Sequence, residues 1–258
     1  MEEKNLLGAR YLEDIHSDYY YNFDWVSFHK LSLYPNAKKL GKPLRFHSIV
    51  TQDTIINPTL IIERILNTIG KDIFAANLLH ELYNGRRFVG IVEDFPKYFQ
   101  LAKSLAPQAK FYIGDFRQTW RGTEKWKELI DMAEWLKPYG CEGLSVQLHR
   151  RIETPIPTKG LGNLIYQCRR KGIGLSFDET RVLITQKNKW PNSTRLEKQK
   201  KYYSEIWKVA LDNNIPMGLW HIDDAVLCQD RVSKIPDFPG LWDKHGNPKP
   251  CYSVFFKD

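Results

Sequence analysis

The sequence predicts an α/β fold, a (β/α)8 TIM-type barrel, on three observations. Short apolar runs alternate with helix-like segments along the chain. Two of the runs, GIGLSF and KFYI, read as near-continuous apolar stretches, the pattern of strands buried on both faces. The runs close repeatedly on His, Asp or Glu, the residue types that build sites at the carboxyl ends of barrel strands.

Six runs read as strands in chain order: LRFHSIV, DIFAANLLH, AKFYIGDF, GLSVQLH, GIGLSFDE and PMGLWHIDD, each expected after ten or more helical residues. Period and punctuation give the helices between them. Glu93 to Leu105 puts Phe95, Phe99 and Ala102 on one face before Pro107 stops it, and Lys125 to Leu136 ends at Pro138 and Gly140. The basic run Arg195 to Lys201 leads into the apolar-periodic Tyr202, Tyr203, Ile206, Trp207 and Val209, so it reads as the solvated start of an amphipathic helix. Residues 152–159 and 186–193 read as long loops after strands.

A chain of 258 residues with 42% hydrophobic content buries a sizeable core, and residues 1–258 are expected to form one barrel domain. The net charge of +8 is scattered rather than clustered, which argues against a nucleic-acid or membrane-surface partner. Cys141, Cys168, Cys228 and Cys251 are far apart and carry neither zinc spacing nor a disulfide framework, so free, mostly buried thiols are expected. The first twenty residues lack the features of a secretory signal, which makes a cytoplasmic location the expectation.

The strand ends collect polar chemistry. His47, His80, Glu81, Asp115, Gln147, His149, Asp178, Glu179, His221, Asp223 and Asp224 all fall there, four of the seven histidines among them. A single Glu or His at such a place is ordinarily a satisfied structural group; several at the same end of successive strands point to a site. Two carboxylates from different strands suit glycoside hydrolysis, in which one protonates the leaving oxygen while the other attacks the anomeric carbon or activates water.

These residues also carry a resemblance. DIFAANLLHE, residues 72–81, is similar to the strand K-V-Y-A-W-D-V-V-N-E of the family 10 glycoside hydrolases, the xylanase family, which places Glu81 at the acid/base. GIGLSFDETR resembles the strand ending I-T-E-L-D and places Glu179 at the nucleophile, 98 residues on and slightly compact for the family. LRFHSIV resembles V-R-G-H-T-L-V, with His47 at a sugar-contacting His; GLSVQLH resembles G-I-G-L-Q-G-H; PMGLWHIDDA resembles I-T-F-W-G-L-T-D. The stretch EDFPKYFQ through KFYIGDF and the tail GLWDKHGNPKPCYSVF also match in order, so the resemblance runs over about residues 40–256. It implies a carbohydrate or glycoside substrate, no cofactor, catalytic Glu81 and Glu179, and substrate contacts from His47, His80, Asp115, Gln147, His149, Trp220 and His221.

The departures bear on substrate. Ala76 and Asn77 stand where the family has Trp and Asp, His80 where it has Asn, Thr51, Gln52 and Thr54 where it has Trp, His and Gln, and Arg181 where it has Asp. Only 36 residues separate Gly8 from Leu44, where the family fits two strands and two helices, so the N-terminal βα portion is contracted or incomplete.

Three functions fit. The first is a retaining glycosidase with Glu179 as nucleophile, Glu81 as acid then base, a neutral His80, and Trp220 as a stacking face or else packing at the mouth. The second is a barrel repurposed for another reaction, metal-assisted if His80 and His221 with Glu81, Asp223 and Asp224 hold a cation, although no HxH or HExxH spacing supports one. The third is a non-catalytic carbohydrate-binding protein, against which stands the retention of both glutamates. Oligomeric state is not legible.

Overall fold

The computed structural model describes residues 7–10, 17–52, 54–82, 89–115, 123–156, 158–184, 192–224, 228–229, 236–237 and 240–256; for 17, 115, 123–125, 228–229 and 236–237 it describes the backbone alone. Eight parallel strands close into a barrel in chain order: β1 Leu7–Arg10, β2 Trp25–Phe28, β3 Leu44–Phe46, β4 Ile73–His80, β5 Lys110–Asp115, β6 Cys141–Arg151, β7 Gly174–Leu183 and β8 Met217–Leu219. Closure is made by β1, which pairs parallel with both β2 and β8. The predicted (β/α)8 TIM-type barrel is therefore the fold.

The N-terminal portion is contracted and no strand is missing. The described part of the β1–β2 connection is a 3-10 turn, Ser17–Asn22, and β2 reaches β3 through a second 3-10 turn, Leu31–Leu33, and the six-residue helix α1, Tyr34–Lys39. The run LRFHSIV thus follows fewer helical residues than its pattern suggested. Pro35 opens α1, and Gly41, at φ 66°, takes the left-handed turn that stops the chain from extending it.

The later helices follow their sequence signals. In α2, Pro58–Ile69, Asn57 caps the first turn by accepting from Leu60 N at 3.4 Å, Pro58 opens the helix, and Ile62, Leu66 and Ile69 face the core. Helix α3, Phe95–Leu105, buries the expected Phe95, Phe99 and Ala102. Helices α4, Thr123–Leu136, and α5, Thr158–Arg170, complete their units. Helix α6, Asn192–Asn213, begins inside the segment read as a loop and buries Tyr202, Tyr203, Ile206 and Ala210. After β8 comes a two-residue antiparallel ladder, β9 Cys228–Gln229 with β10 Pro236–Asp237.

The barrel interior is polar beneath the mouth. The indole of Trp25 fills the space over Gly8, where a Cβ would lie 2.1 Å from the ring, so a glycine is required there. Arg45, 1% exposed, lies with its guanidinium carbon 5.7 Å from the Trp25 ring and 4.9 Å from Tyr112. Its charge is met by Asp178, whose Oδ1 is 2.9 Å from Arg45 Nε, and its remaining donors reach Ser176 Oγ at 3.1 Å and Asn77 Oδ1 at 2.8 Å. Such a charge is tolerated in a closed interior only with this degree of pairing.

Cys141, Cys168 and Cys251 are free and buried, and burial pushes each thiol up to about 12; the side chain of Cys228 lies outside the described residues. Among the described residues no helix is long and apolar enough to cross a membrane.

Candidate active site

Two β-bulges aim the residues of the mouth. Along β7, Phe177 pairs with Val146 and Glu179 with Gln147, which leaves Asp178 as the extra residue. Side chains on a regular strand alternate faces, so neighbours such as Asp178 and Glu179 would point apart. The bulge turns both toward one imidazole: His47 Nε2 is 2.7 Å from Glu179 Oε1, and His47 Nδ1 is 3.3 Å from Asp178 Oδ2. Along β4, Leu78 is the extra residue between the Asn77–Tyr112 and Leu79–Ile113 pairs. The resulting phase shift lets Asn77 donate to Asp178 Oδ2 at 2.7 Å while His80, three residues on, also reaches the site.

Glu81 follows directly on β4 with φ 57°, a left-handed conformation that costs a non-glycine residue energy and concentrates at functional positions. Its amide is held by Gly114 O at 2.8 Å. Gln147 Nε2 donates to Glu81 Oε1 at 3.1 Å and lies 3.2 Å from His80 Nε2. His80 Nε2 in turn is 3.4 Å from Glu81 Oε1 and 3.7 Å from Glu179 Oε1, so the two carboxylate oxygens lie no more than about 7 Å apart. His80 Nε2 thus sits among Gln147 Nε2 and one oxygen of each glutamate. Gly114 is needed beside it, since a Cβ there would lie 2.5 Å from His80 Nδ1.

Charge divides the two glutamates. Burial pushes Glu179 up, but His47 and His149, whose Nε2 is 3.1 Å from Oε2, outweigh it and hold the carboxyl well below its ordinary range. Asp178 is likewise low, because Arg45 and His47 overcome its burial. Glu81, with 37% of its side chain exposed, is also lowered: burial raises it, but His80 and Gln147 win. The sequence reading required Glu81 to hold a proton near neutral pH, and these two contacts are the physical reason that the structure holds it low instead.

Among the imidazoles, burial lowers His47, yet Glu179 and Asp178 raise it to about 9. His149 is lowered, chiefly by burial. His221 falls to about 3 through burial, Arg181 and Arg10, and His29 to about 4 through burial and Arg10. The stability contributed by the raised His47 is fully present below its unfolded value near 6.5 and is lost as pH rises through about 9. Unfolding midpoints in urea should therefore fall between pH 6.5 and 9.5 by an amount on the order of 3 kcal/mol in stability, and His47→Gln should remove that slope. A flat wild-type profile would contradict the charged imidazole.

Of the residues read as substrate contacts, His47, His80, Gln147, His149, Trp220 and His221 are brought to one end of the barrel with Glu81 and Glu179. The ring of Trp220 is 4.8 Å from that of His47 and 6.3 Å from those of His149 and His221. Asp115 closes β5 in the backbone, and its side chain lies outside the described residues. Asp224 is taken up elsewhere, with its Oδ2 2.9 Å from Lys249 Nζ and its Oδ1 accepting from Gly240 N at 2.7 Å. The cation ligands expected around His80 and His221 are accordingly rearranged: among the described residues it is His47, His80 and Glu179 whose ligand atoms lie within 4.8 Å of one another.

Arg10, His29 and Arg45 were not read as site residues, and Asn77 was read only as a departure from the family pattern. Arg45 and Asn77 support Asp178 from below, while Arg10 lies with its guanidinium carbon 3.5 Å from the centre of the Trp220 ring and its Nη2 3.2 Å from His29 Nδ1. A charged residue in the middle of the apolar run LRFHSIV was a usable signal for Arg45. The four-residue β1 offered none for Arg10.

A closed parallel barrel gathers carboxylates and imidazoles around one mouth, where barrel enzymes build their sites, and the family match makes the class a glycoside hydrolase-like enzyme. The model of glycosyl hydrolase family 10 matches residues 84–257, which takes in Gln147, His149, Glu179 and Trp220 and begins just after Glu81. This chain belongs to glycosyl hydrolase family 10. No curated protein sequence matches it. Among solved structures it is similar to xylanase 10B from Thermotoga petrophila in complex with xylobiose, with a TM-score of 0.83 at 17% identity over 98% of this chain and 93% of that one. It is similar to native xylanase 10B from Thermotoga maritima, with a TM-score of 0.82 at 17% identity over 98% and 94%. The endo-1,4-beta-xylanase from Caldicellulosiruptor owensensis gives a TM-score of 0.80 at 16% identity over 99% and 98%.

Proposed function

We propose that this protein is a retaining glycoside hydrolase acting on a β-linked sugar or glycoside, with Glu179 as nucleophile and Glu81 as acid and then base. The observation that carries the reading is the convergence of both carboxylates on His80 Nε2, which keeps their nearer oxygens within about 7 Å of each other from two different strands. A similar barrel binds xylobiose, which supports a carbohydrate substrate.

In the first step a Glu179 oxygen forms a bond to the anomeric carbon, the glycosidic C–O bond breaks, and the Glu81 proton passes to the leaving oxygen. In the second, Glu81 takes a proton from water as the water oxygen replaces Glu179 on that carbon. The contacts from His47 and His149 keep Glu179 ionised, as a nucleophile must be. Glu81 needs a proton at the start, and a sugar covering its exposed flank raises its pKa by desolvation. His47, His80, Gln147, His149, Trp220 and His221 contact the substrate in this reading, and Asp115 is included on its strand position alone.

The test separates the two carboxylates. Glu81→Ala should keep cleavage of aryl glycosides with activated leaving groups, lose on the order of 10²- to 10⁴-fold on unactivated sugars, and regain turnover with azide as a glycosyl azide of retained configuration. Equal loss on both substrate types, without azide rescue, would assign the proton transfer to another group. Stoichiometric transition metal in the purified protein, removed together with function by chelation, would replace this reading with a metal-assisted one built on His47, His80 and Glu179.

A further inference from the structure

We propose that Asp178 is a positioning residue: it holds His47 against Glu179 as a cation that donates from both ring nitrogens, and so assists the departure of Glu179 in the second, hydrolytic step. The part played in turnover rests on the glycosidase reading above; the contact itself rests on geometry.

Four buried side chains of alternating charge run from the barrel interior to the nucleophile. Arg45 Nε is 2.9 Å from Asp178 Oδ1, Asp178 Oδ2 is 3.3 Å from His47 Nδ1, and His47 Nε2 is 2.7 Å from Glu179 Oε1. None of the four side chains is more than 6% exposed. A neutral imidazole has a lone pair on one nitrogen and would set it against a carboxylate, so a ring with a carboxylate at each nitrogen carries two protons. Burial lowers His47, but Glu179 and Asp178 raise it to about 9. The other titratable groups facing this ring are His80 on β4, with ring centroids 4.5 Å apart, and His29, itself held at about 4. Asp178 is fixed from a further side by Asn77 Nδ2 at 2.7 Å. The family-like strands have Thr at the position of Asp178 and Asp at that of Asn77, so this chain carries its carboxylate on β7 instead of β4. Either position answers Arg45, whose Nη2 meets Asn77 Oδ1 at 2.8 Å, but it is the β7 carboxylate that touches His47.

The two steps of the reaction use this contact differently. Forming the bond to the anomeric carbon consumes the charge on Glu179, which a charged donor opposes. In the second step the water oxygen bonds to that carbon, Glu81 takes the water proton, and the bond to Glu179 breaks with its electron pair returning to the carboxylate. A charged donor already in place stabilises that returning charge. For His47 to supply it, the ring must keep its proton while Glu179 is an uncharged ester. Asp178 is then the anion still touching the ring, and without it a buried imidazolium sheds its proton.

The kinetic test uses 2,4-dinitrophenyl β-xylobioside, whose leaving group makes the first step fast and leaves the second to set kcat. Asp178→Asn should lower kcat about tenfold or more and lower KM with it, because glycosyl-enzyme accumulates; kcat/KM should stay within about threefold, and a burst of dinitrophenol should appear. Nitrogen-15 NMR of the His47 ring should show both nitrogens protonated near neutral pH in the wild type, and titration at lower pH in the variant. A purely structural role is separated by Asn77→Asp combined with Asp178→Asn, which keeps a counter-charge beside Arg45 but removes the carboxylate that His47 touches. This swap should recover stability in urea without recovering kcat or the His47 signals. Where circular dichroism shows that the single variant fails to fold, the swap and the wild-type ring signals decide. A wild-type His47 protonated on one nitrogen only, a swap variant with wild-type kcat, or a fall in kcat with KM unchanged would overturn the assignment and leave the hydrolase reading intact. Release of dinitrophenol from neither this glycoside nor 2,4-dinitrophenyl β-D-glucoside, with the His47 ring doubly protonated, would instead overturn the hydrolase reading, and the second-step role with it.

Discussion

Glu179→Ala is expected to abolish turnover of activated and unactivated glycosides alike, a loss on the order of 10⁴-fold or more, equivalent to roughly 5.5 kcal/mol of transition-state stabilisation. A good leaving group relieves the need for an acid and does nothing for the need for a nucleophile, so this variant differs from Glu81→Ala. The fold should persist, because Asp178 remains to pair with Arg45 and His47. His47 should titrate at lower pH than its value of about 9, since Glu179 is the largest influence raising it; NMR titration of the ring reads this directly. A Glu179→Ala protein with wild-type turnover would show that the barrel performs a different chemistry.

The largest effect on stability is expected at Arg45. Arg45→Met should cost about 3–5 kcal/mol in denaturant unfolding, because it leaves Asp178, fully buried, without its principal counter-charge. It also removes the donors that reach Ser176, Asn77 and Ser145. Combining it with Asp178→Asn should recover part of the loss, since the penalty comes chiefly from the stranded charge rather than from absent attraction. A cost below about 1 kcal/mol for the single variant would mean that the interior is far better solvated than its burial indicates.

The folded positions explain which parts of this were readable. Phe95, Phe99 and Ala102 were legible as a buried face because helical spacing alone puts them together. His47, Glu81, Gln147, His149 and Glu179 were legible as neighbours at one mouth because parallel strands in a barrel deliver all their carboxyl ends to the same side. Strand β1 was not legible, since four residues carry no periodicity, and the 3-10 turn and short α1 that make room for it have no long amphipathic pattern. Arg10 was lost with it. The titration of Glu81 was also beyond sequence, because its direction depends on whether burial or the contacts from His80 and Gln147 prevail, and only distances decide that.

By itself, the sequence determined the alternation of strand and helix, the faces of the helices and the chemical types gathered at the strand ends, because these follow from local periodicity and from the direction of a parallel sheet. Tertiary structure alone decided how those types meet. The bulges at Leu78 and Asp178 exist only as mismatches between paired strands, and a shift of one residue exchanges the inward and outward faces of everything after it. That shift brings Asp178 and Glu179, adjacent in the chain, onto the two nitrogens of the same imidazole, and sets His80 between the carboxylates of Glu81 and Glu179.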